Sequence, residues 1–151
     1  MKRLTLSLIA ATLLTLGIAA QEMFTSKFGN VKDVTSVFIS KSLLNMMPDV
    51  KSNGMDFASV ASKLDNIQIL DSESAAAANT LKDGCRRIID KEGYENLMNV
   101  NDNGEHTGIY MKEFAGGKKQ YVMISTDKSE TSVIVLTGRL TLQDIKNVIG
   151  Q

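Results

Sequence analysis

Between residues 94 and 138, apolar and polar residues alternate, which is the pattern of β-strands that bury one face. Asn103-Gly104 is a strong signal for a two-residue hairpin turn. Further turns are predicted at Gly116-Gly117 and at residues 127–130, so that four strands form an antiparallel meander. The three predicted registers place the same apolar residues on one face: Met98, Val100, Ile109, Met111, Val122, Ile124, Val133 and Val135.

The opposite face of this meander is the candidate interaction face. It is predicted to carry Leu97, Tyr110, Tyr121, Met123, Ile134 and Leu136. A face of this composition is either covered by helices or bound by a partner, since tyrosine and methionine are enriched in protein interfaces. The predicted helices are numerous enough to cover both faces, and both alternatives stay open. At one end of the face, Glu95 and Lys112 are predicted to form a cross-strand ion pair.

Helical spacing dominates the chain before residue 94. Two short helices are predicted, one from Asn30 to Pro48 and one that begins at Asn53. Their apolar stripes are Val31, Val34, Phe38, Leu44 and Met47 in the first helix, and Phe57, Val60, Ala61 and Leu64 in the second. A brief apolar run from Ile67 to Leu70 then predicts a strand.

A longer helix is predicted from a cap at Asp71-Ser72 to about Glu92, where Gly93 ends it. Its buried stripe is predicted to be Ala77, Leu81, Gly84, Cys85 and Ile88. A last helix is predicted after the cap residue Thr141, and Leu142, Ile145 and either Val148 or Ile149 are expected to dock it.

The predicted order of elements is α-α-β-α-β-β-β-β-α. This order indicates an α+β fold, with a mainly antiparallel sheet of four to five strands and about four helices. Residues 21–151 form one domain in this prediction, and the position of the first strand within the sheet stays open.

The first 20 residues have the pattern of a secretory signal peptide. Two basic residues precede an apolar stretch that runs to Ile18, and the small pair Ala19-Ala20 follows. The stretch is shorter than the roughly 20 apolar residues of a spanning helix, so cleavage after Ala20 or one residue earlier is predicted, with no membrane span in the mature chain. No cysteine lies near the cleavage position, which argues against a lipoprotein. The mature domain is therefore predicted to be periplasmic or secreted.

Charge excludes some partner classes. Without the signal peptide, 15 basic residues face 17 acidic ones, which gives a net charge near −2. Binding to nucleic acid without sequence preference needs a basic face, so nucleic acid is not an expected partner. The single cysteine excludes an internal disulfide, so the domain must rely on a hydrophobic core.

Two residue types invite a catalytic interpretation. His106 is the only histidine and follows a predicted turn, with no local partner to orient it as a general base. Cys85 lies on the apolar stripe of a helix, where cysteine behaves as a small hydrophobe, although Arg86-Arg87 next to it is a local argument for reactivity. We predict a surface position for His106 and a buried, inert thiol for Cys85.

Two motifs resemble known ligand-binding loops, but the spacing of their residues does not fit those loops. Residues 99–104 resemble the start of an EF-hand loop, but the acidic residue required at the twelfth position would fall on Tyr110. Residues 116–119, Gly-Gly-Lys-Lys, lack the spacing of a phosphate loop and join two predicted strands. No catalytic, cofactor or metal residue is therefore assigned from the sequence.

Four features of the chain occur together: a signal-peptide pattern, a lead-in that ends at Phe28, the segment from Val37 to Leu44 with Met46-Met47, and the run from Ile67 to Leu70. In these features the chain resembles one family of exported Bacteroidetes proteins, grouped as domain of unknown function 4252. This resemblance implies an exported or envelope-associated protein without an established activity, and it assigns no functional residue. Many relatives are lipoproteins, a pattern from which this chain departs.

The expected function is that of a non-catalytic binding or interaction module in the cell envelope, whose partner is a protein, a peptide or an envelope component. One alternative is a small periplasmic enzyme, whose acids and hydroxyls the fold alone brings together. The other is a structural or assembly subunit, for which a self-complementary exposed surface and a homo-oligomer would be evidence.

Overall fold

The structure is a computed structural model that describes residues 23–47, 49–52 and 54–150. The α-helices are α1 (Met23–Phe28), α2 (Lys41–Met46), α3 (Ala75–Glu92) and α4 (Leu142–Ile149). The strands are β1 (Val34–Ser40), β2 (Lys51–Ser52), β3 (Met55–Asp56), β4 (Leu64–Ser72), β5 (Glu95–Asp102), β6 (Glu105–Glu113), β7 (Lys119–Thr126) and β8 (Thr131–Gly138). Short 3₁₀ turns span Ala61–Lys63 and Ala115–Gly117. The predicted signal peptide, residues 1–20, lies outside the described residues.

Six strands form one antiparallel sheet in the order β1-β4-β8-β7-β6-β5, while β2 and β3 pair with each other. The predicted α+β class and the C-terminal meander are confirmed, but the sheet has six strands and not four to five. Strand β4, which the sequence could not place, lies inside the sheet between β1 and β8. Strands β1 and β5 are therefore the two edges.

The first predicted helix is wrong over its first half, because residues 34–40 form strand β1. The segment from Val34 to Ser40 pairs with β4 over seven residues, and only the following six residues are helical, capped by the Ser40 side chain. Its valine, isoleucine and threonine side chains favour a strand. A short apolar stripe alone fits either a helix or a strand, and the pairing with β4 selects the strand.

The second predicted helix is also wrong, although its stripe is buried as expected. Phe57, Val60 and Ala61 lie in a turn and a 3₁₀ segment, and Leu64 begins β4. The Asp56 carboxylate accepts a hydrogen bond from the backbone N–H of Ala58 at 2.9 Å. Such local bonds stabilise turns at the expense of helix.

The long helix α3 is confirmed with small changes at its start. Its cap is Ser74, whose side chain accepts from the backbone N–H of Ala77, and Gly93 ends it with a φ of 73°. Of the predicted stripe, Ala77, Leu81, Cys85 and Ile88 are buried, and Gly84 lies against α1. A Cβ on Gly84 would lie 2.5 Å from the Phe28 ring, so this glycine is required for α1 to pack closely on α3.

The register of the meander is confirmed between β7 and β8 and wrong between β6 and β7. Val122 lies opposite Val135 as predicted, but Met111 lies opposite Tyr121 and not Val122. The connection from residue 114 to residue 118 is a five-residue loop, where the sequence predicted a two-residue turn. A slip of one residue moves every side chain of a strand to the other face.

The predicted ion pair between Glu95 and Lys112 is wrong, because β5 contains a β-bulge. The register shifts between Asn96 and Met98, and Glu95 then lies opposite Met111. Lys112 instead places its Nζ 3.3 Å from Glu92 Oε2, within 5.8 Å of the centre of the Tyr94 ring.

The sheet has a hydrophobic core on each face. Helices α1 and α3 cover one face, over Leu70, Val122, Ile124, Val133 and Val135. Helices α2 and α4, together with Val50, Met55, Phe57 and Val60, cover the other face. The residues beneath them are Ile67, Ile69, Ile109, Tyr121, Met123, Ile134 and Leu136. Among the described residues, none of the helices is both long and apolar enough to span a membrane.

Candidate functional site

The structure does not leave the predicted interaction face open. Tyr121, Met123, Ile134 and Leu136 are buried in the core under α4, and Leu97 is only partly accessible at its margin. Tyr110 lies on the opposite face, because the register between β6 and β7 differs by one residue from the prediction. The covered-core alternative therefore describes this face.

Two side-chain contacts hold α4 over the sheet, and a capping box stabilises its first turn. The Tyr121 hydroxyl donates to the Leu140 carbonyl at 3.1 Å, just before the helix begins. Thr141 and Asp144 form a capping box, and Lys63 Nζ lies 2.8 Å from Asp144 Oδ1. The Lys63 ammonium and the Thr141 N–H lower the pKa of Asp144, while burial and the charge of Asp144 raise the pKa of Tyr121. These contacts hold α4 in place beside the β5–β6 hairpin.

Between α4 and the β5–β6 hairpin lies a groove of about 420 Å³, which we call the apolar groove. Its lining is Leu97, Met98, Ile109, Leu142, Ile145, Lys146, Ile149 and Gly150. Three of these side chains are exposed although they are large and apolar: Leu142 at 49%, Met98 at 42% and Ile149 at 36%. Concave apolar surface with few polar groups is the usual character of a binding site.

A second cavity, the polar cleft, has a similar volume of about 420 Å³ and shares Ile149 with the apolar groove. Its lining is Met55, Asp71, Glu105, Thr107, Met123, Ser125, Glu130, Ser132, Ile134 and Ile149. Ser132 Oγ donates to Asp71 Oδ1 at 2.6 Å, and the hydroxyls of Thr107 and Ser125 lie 2.9 Å apart. The two cavities together offer an apolar surface next to three carboxylates.

Neither Cys85 nor His106, the two residues that the sequence singled out for a catalytic role, lines either cavity. Cys85 is fully buried, and burial raises the pKa of its thiol to about 12, which makes it a poor nucleophile at neutral pH. His106 is half-buried, and its Nδ1 lies 2.6 Å from the Asn101 side-chain oxygen, not from an acid. Within the part of the chain that the structure describes, no group of three or more histidine, cysteine, aspartate or glutamate side chains could hold a metal ion.

Of the predicted interaction face, Leu97 lines the apolar groove, and Met123 and Ile134 line the polar cleft. The sequence did not predict the two cavities or the role of their other lining residues. Leu142 and Ile149 were predicted to be candidates for docking α4, yet both stay exposed at its margin, and only Ile145 and Val148 are buried. Asp71 was interpreted as a helix cap, but it lies within β4, opposite Ser132 of β8. The one sequence signal was an excess of apolar positions in α4 over what a one-sided helix needs.

The comparisons with known proteins bear on the family and not on the activity. No curated protein and no solved structure matches the chain. One family model matches residues 28–148, which span the fold from the end of α1 into the last turn of α4. The chain therefore belongs to the family described as domain of unknown function (DUF4252).

Proposed function

We propose that this protein is an exported, non-catalytic interaction module of the bacterial cell envelope, and that the apolar groove binds apolar side chains of a partner polypeptide. The observation that carries the proposal is the exposure of Leu142, Met98 and Ile149 around one concave surface. Soluble domains rarely leave large apolar side chains together on the surface unless they meet a partner.

Export is supported by the first 20 residues, whose cationic start, apolar stretch and small exit are typical of a signal peptide. The resemblance to exported Bacteroidetes proteins agrees with this. Mass spectrometry of protein made from the full-length gene in an exporting bacterium tests the proposal. We expect a mass that corresponds to a chain beginning at Gln21 and recovery from the periplasm or medium. An uncleaved chain in the cytoplasm would contradict it.

The polar cleft suggests what lies next to the apolar side chains in the partner. The carboxylates of Asp71, Glu105 and Glu130 line it without a lysine or arginine among the lining residues. Carboxylates that line a cavity favour a cationic or hydrogen-bond-donating group. A polypeptide segment with two or more aliphatic residues beside a lysine or arginine therefore fits both cavities.

A peptide-display selection against the purified protein tests this specificity. We expect enriched peptides to combine aliphatic residues with an adjacent basic residue. Leu142→Glu should weaken binding of an enriched peptide at least about tenfold, which corresponds to about 1.4 kcal/mol. Gln143→Glu is the matched control, since it adds the same charge on the neighbouring exposed residue of α4 and should change binding less than about twofold. Equal affinity of both variants would exclude the groove as the binding site.

The polar cleft also supports a second candidate, an enzyme that uses Ser132 and the acids around it. A hydroxyl bound to a carboxylate is the starting point of nucleophilic or acid–base chemistry. Assays with ester, glycoside and peptide substrates test this candidate. Turnover by the parent protein that is lost in Ser132→Ala would favour the enzyme, whereas turnover equal in both would place the activity elsewhere.

A further inference from the structure

Strand β1 is an edge of the sheet with none of the usual features that prevent pairing. Its sequence, Val-Thr-Ser-Val-Phe-Ile-Ser, contains no charged residue and no proline. Its register with β4 is continuous over seven pairs, from Val34 opposite Ser72 to Ser40 opposite Asn66. In the sheet that the structure describes, β1 has a neighbour on one side only. Such an edge is a template for another strand.

Exposed apolar side chains surround this edge on both faces of the sheet. Val37 and Phe38 are 42% and 44% exposed, and as successive strand residues they point to opposite faces. Helix α2 and the residue after it add Leu43, Met46 and Met47, all exposed. Most of the exposed large hydrophobic side chains of the described residues thus lie within 11 positions, 37–47.

We propose that two copies of this chain associate along β1 as an antiparallel pair, with a two-fold axis at Val37. In this register Val37 lies opposite its own copy, and all seven residues of each strand are paired. Asp33, with a φ of 61°, comes just before the strand, and Lys41, the first residue of α2, comes just after it. Each end of the contact therefore brings the acidic residue of one copy near the basic residue of the other. A contact related by a two-fold axis is self-complementary, and this one pairs opposite charges at both of its ends.

Other registers are less favourable. Opposite residues in an antiparallel pair both point their backbone groups toward the partner or both point them away, so the strands can shift only by an even offset. The next allowed shift in either direction leaves five of the seven strand residues paired and separates Asp33 from Lys41. Lys41 is well exposed and its Nζ lies 3.4 Å from Asp65 Oδ1, so a carboxylate from the second copy would extend an existing ion pair. The sequence thus favours one register.

Sedimentation velocity over a series of protein concentrations tests the dimer, on protein purified after expression of the full-length gene. We expect a monomer–dimer equilibrium for the parent. Val37→Lys places two ammonium groups on the two-fold axis and should raise the dimer Kd at least about tenfold. Val100→Lys is the matched control, because Val100 is 41% exposed on the other edge strand, and this variant should dimerise like the parent.

Disulfide trapping tests the register. In the proposed dimer the two Cα atoms of residue 37 lie about 4.5–5.5 Å apart, within the range of a disulfide, so Val37→Cys should give a covalent dimer on mild oxidation. Val100→Cys should not, and buried Cys85 gives little background. A parent that stays monomeric at all concentrations would overturn the proposal, as would a dimer lost in Val100→Lys and retained in Val37→Lys. A dimer in which Val37→Cys fails to cross-link would overturn the register.

Discussion

The two edge strands of the sheet differ in how well their free backbone groups are protected from pairing with another strand. Strand β5 has an acidic residue at each end, Glu95 and Asp102, and a bulge at Leu97, and the side chains of Asn96 and Asn99 bind each other. Strand β1 is uncharged and its register is continuous. Natural sheets block edge pairing with charges and bulges. The difference points to β1 as the edge that pairs.

The two edges also differ in what a partner could bind, which is side chains at one edge and backbone groups at the other. At the β5 end, the backbone edge is protected, but the side chains of Met98 and Leu142 stay accessible in the apolar groove. At the β1 end, the backbone itself is available, flanked by Val37 and Phe38. Self-association at one end would therefore leave the groove at the other end free for a partner.

The largest effects are expected from removing core side chains next to each edge. Ile67 lies opposite Ile39 of β1, and Ile109 lies opposite Met98 of β5; both are buried. Replacement of either isoleucine by alanine should lower the free energy of unfolding by about 2–5 kcal/mol, through lost burial and the cavity left behind. Urea denaturation at low protein concentration measures both. A cost under about 1 kcal/mol at one position would mean that this edge is not packed as described.

An intermediate effect is expected from Asp144→Asn, which weakens the hold on α4 beside the groove. The lowered pKa of Asp144 means that its carboxylate contributes stability above the unfolded pKa of about 3.9, and this contribution is lost as pH falls through the lower folded pKa. At pH 7 the variant should be less stable by about 1 kcal/mol. The difference from the parent should shrink as the pH falls below 4. A difference that stays constant with pH would contradict this assignment.

The smallest effect is expected from adding one more charge to the protected edge. Asn99→Lys changes an exposed residue of β5, which already resists pairing. Neither the free energy of unfolding nor the oligomeric state should change, within about 0.5 kcal/mol for the former. Thermal unfolding and sedimentation measure the two quantities. Loss of a dimer in this variant would show that β5, and not β1, forms the contact.

Local patterns in the sequence predicted the fold where the chain's neighbours in space are also its neighbours in sequence. The β7–β8 register, the cap at Thr141 and the end of α3 at Gly93 all depend on residues a few positions apart. The burial of Phe57 and Val60 was also predicted, although their secondary structure was not. An apolar stripe indicates which side chains are buried more reliably than it indicates backbone conformation.

The candidate site could not be predicted from local patterns, because it depends on contacts between segments that are far apart in the sequence. Strand β1 becomes an edge only because β4 inserts beside β8, which brings residues 34–40 next to a strand 26 or more positions away. The apolar groove depends on the bulge in β5 and on the anchoring of α4 by Lys63. The five-residue loop before Lys119 moved Tyr110 off the predicted face, and nothing local in the sequence excluded a shorter turn.

Hydrogen–deuterium exchange at low and high protein concentration tests most directly which edge of the sheet associates. If two copies pair along β1, the outward-facing amides of residues 34–40 should become protected as the concentration rises. The amides of β5 should exchange at the same rate at both concentrations. Protection that appears in β5, or rates in β1 that do not depend on concentration, would contradict the assignment of β1 as the open edge.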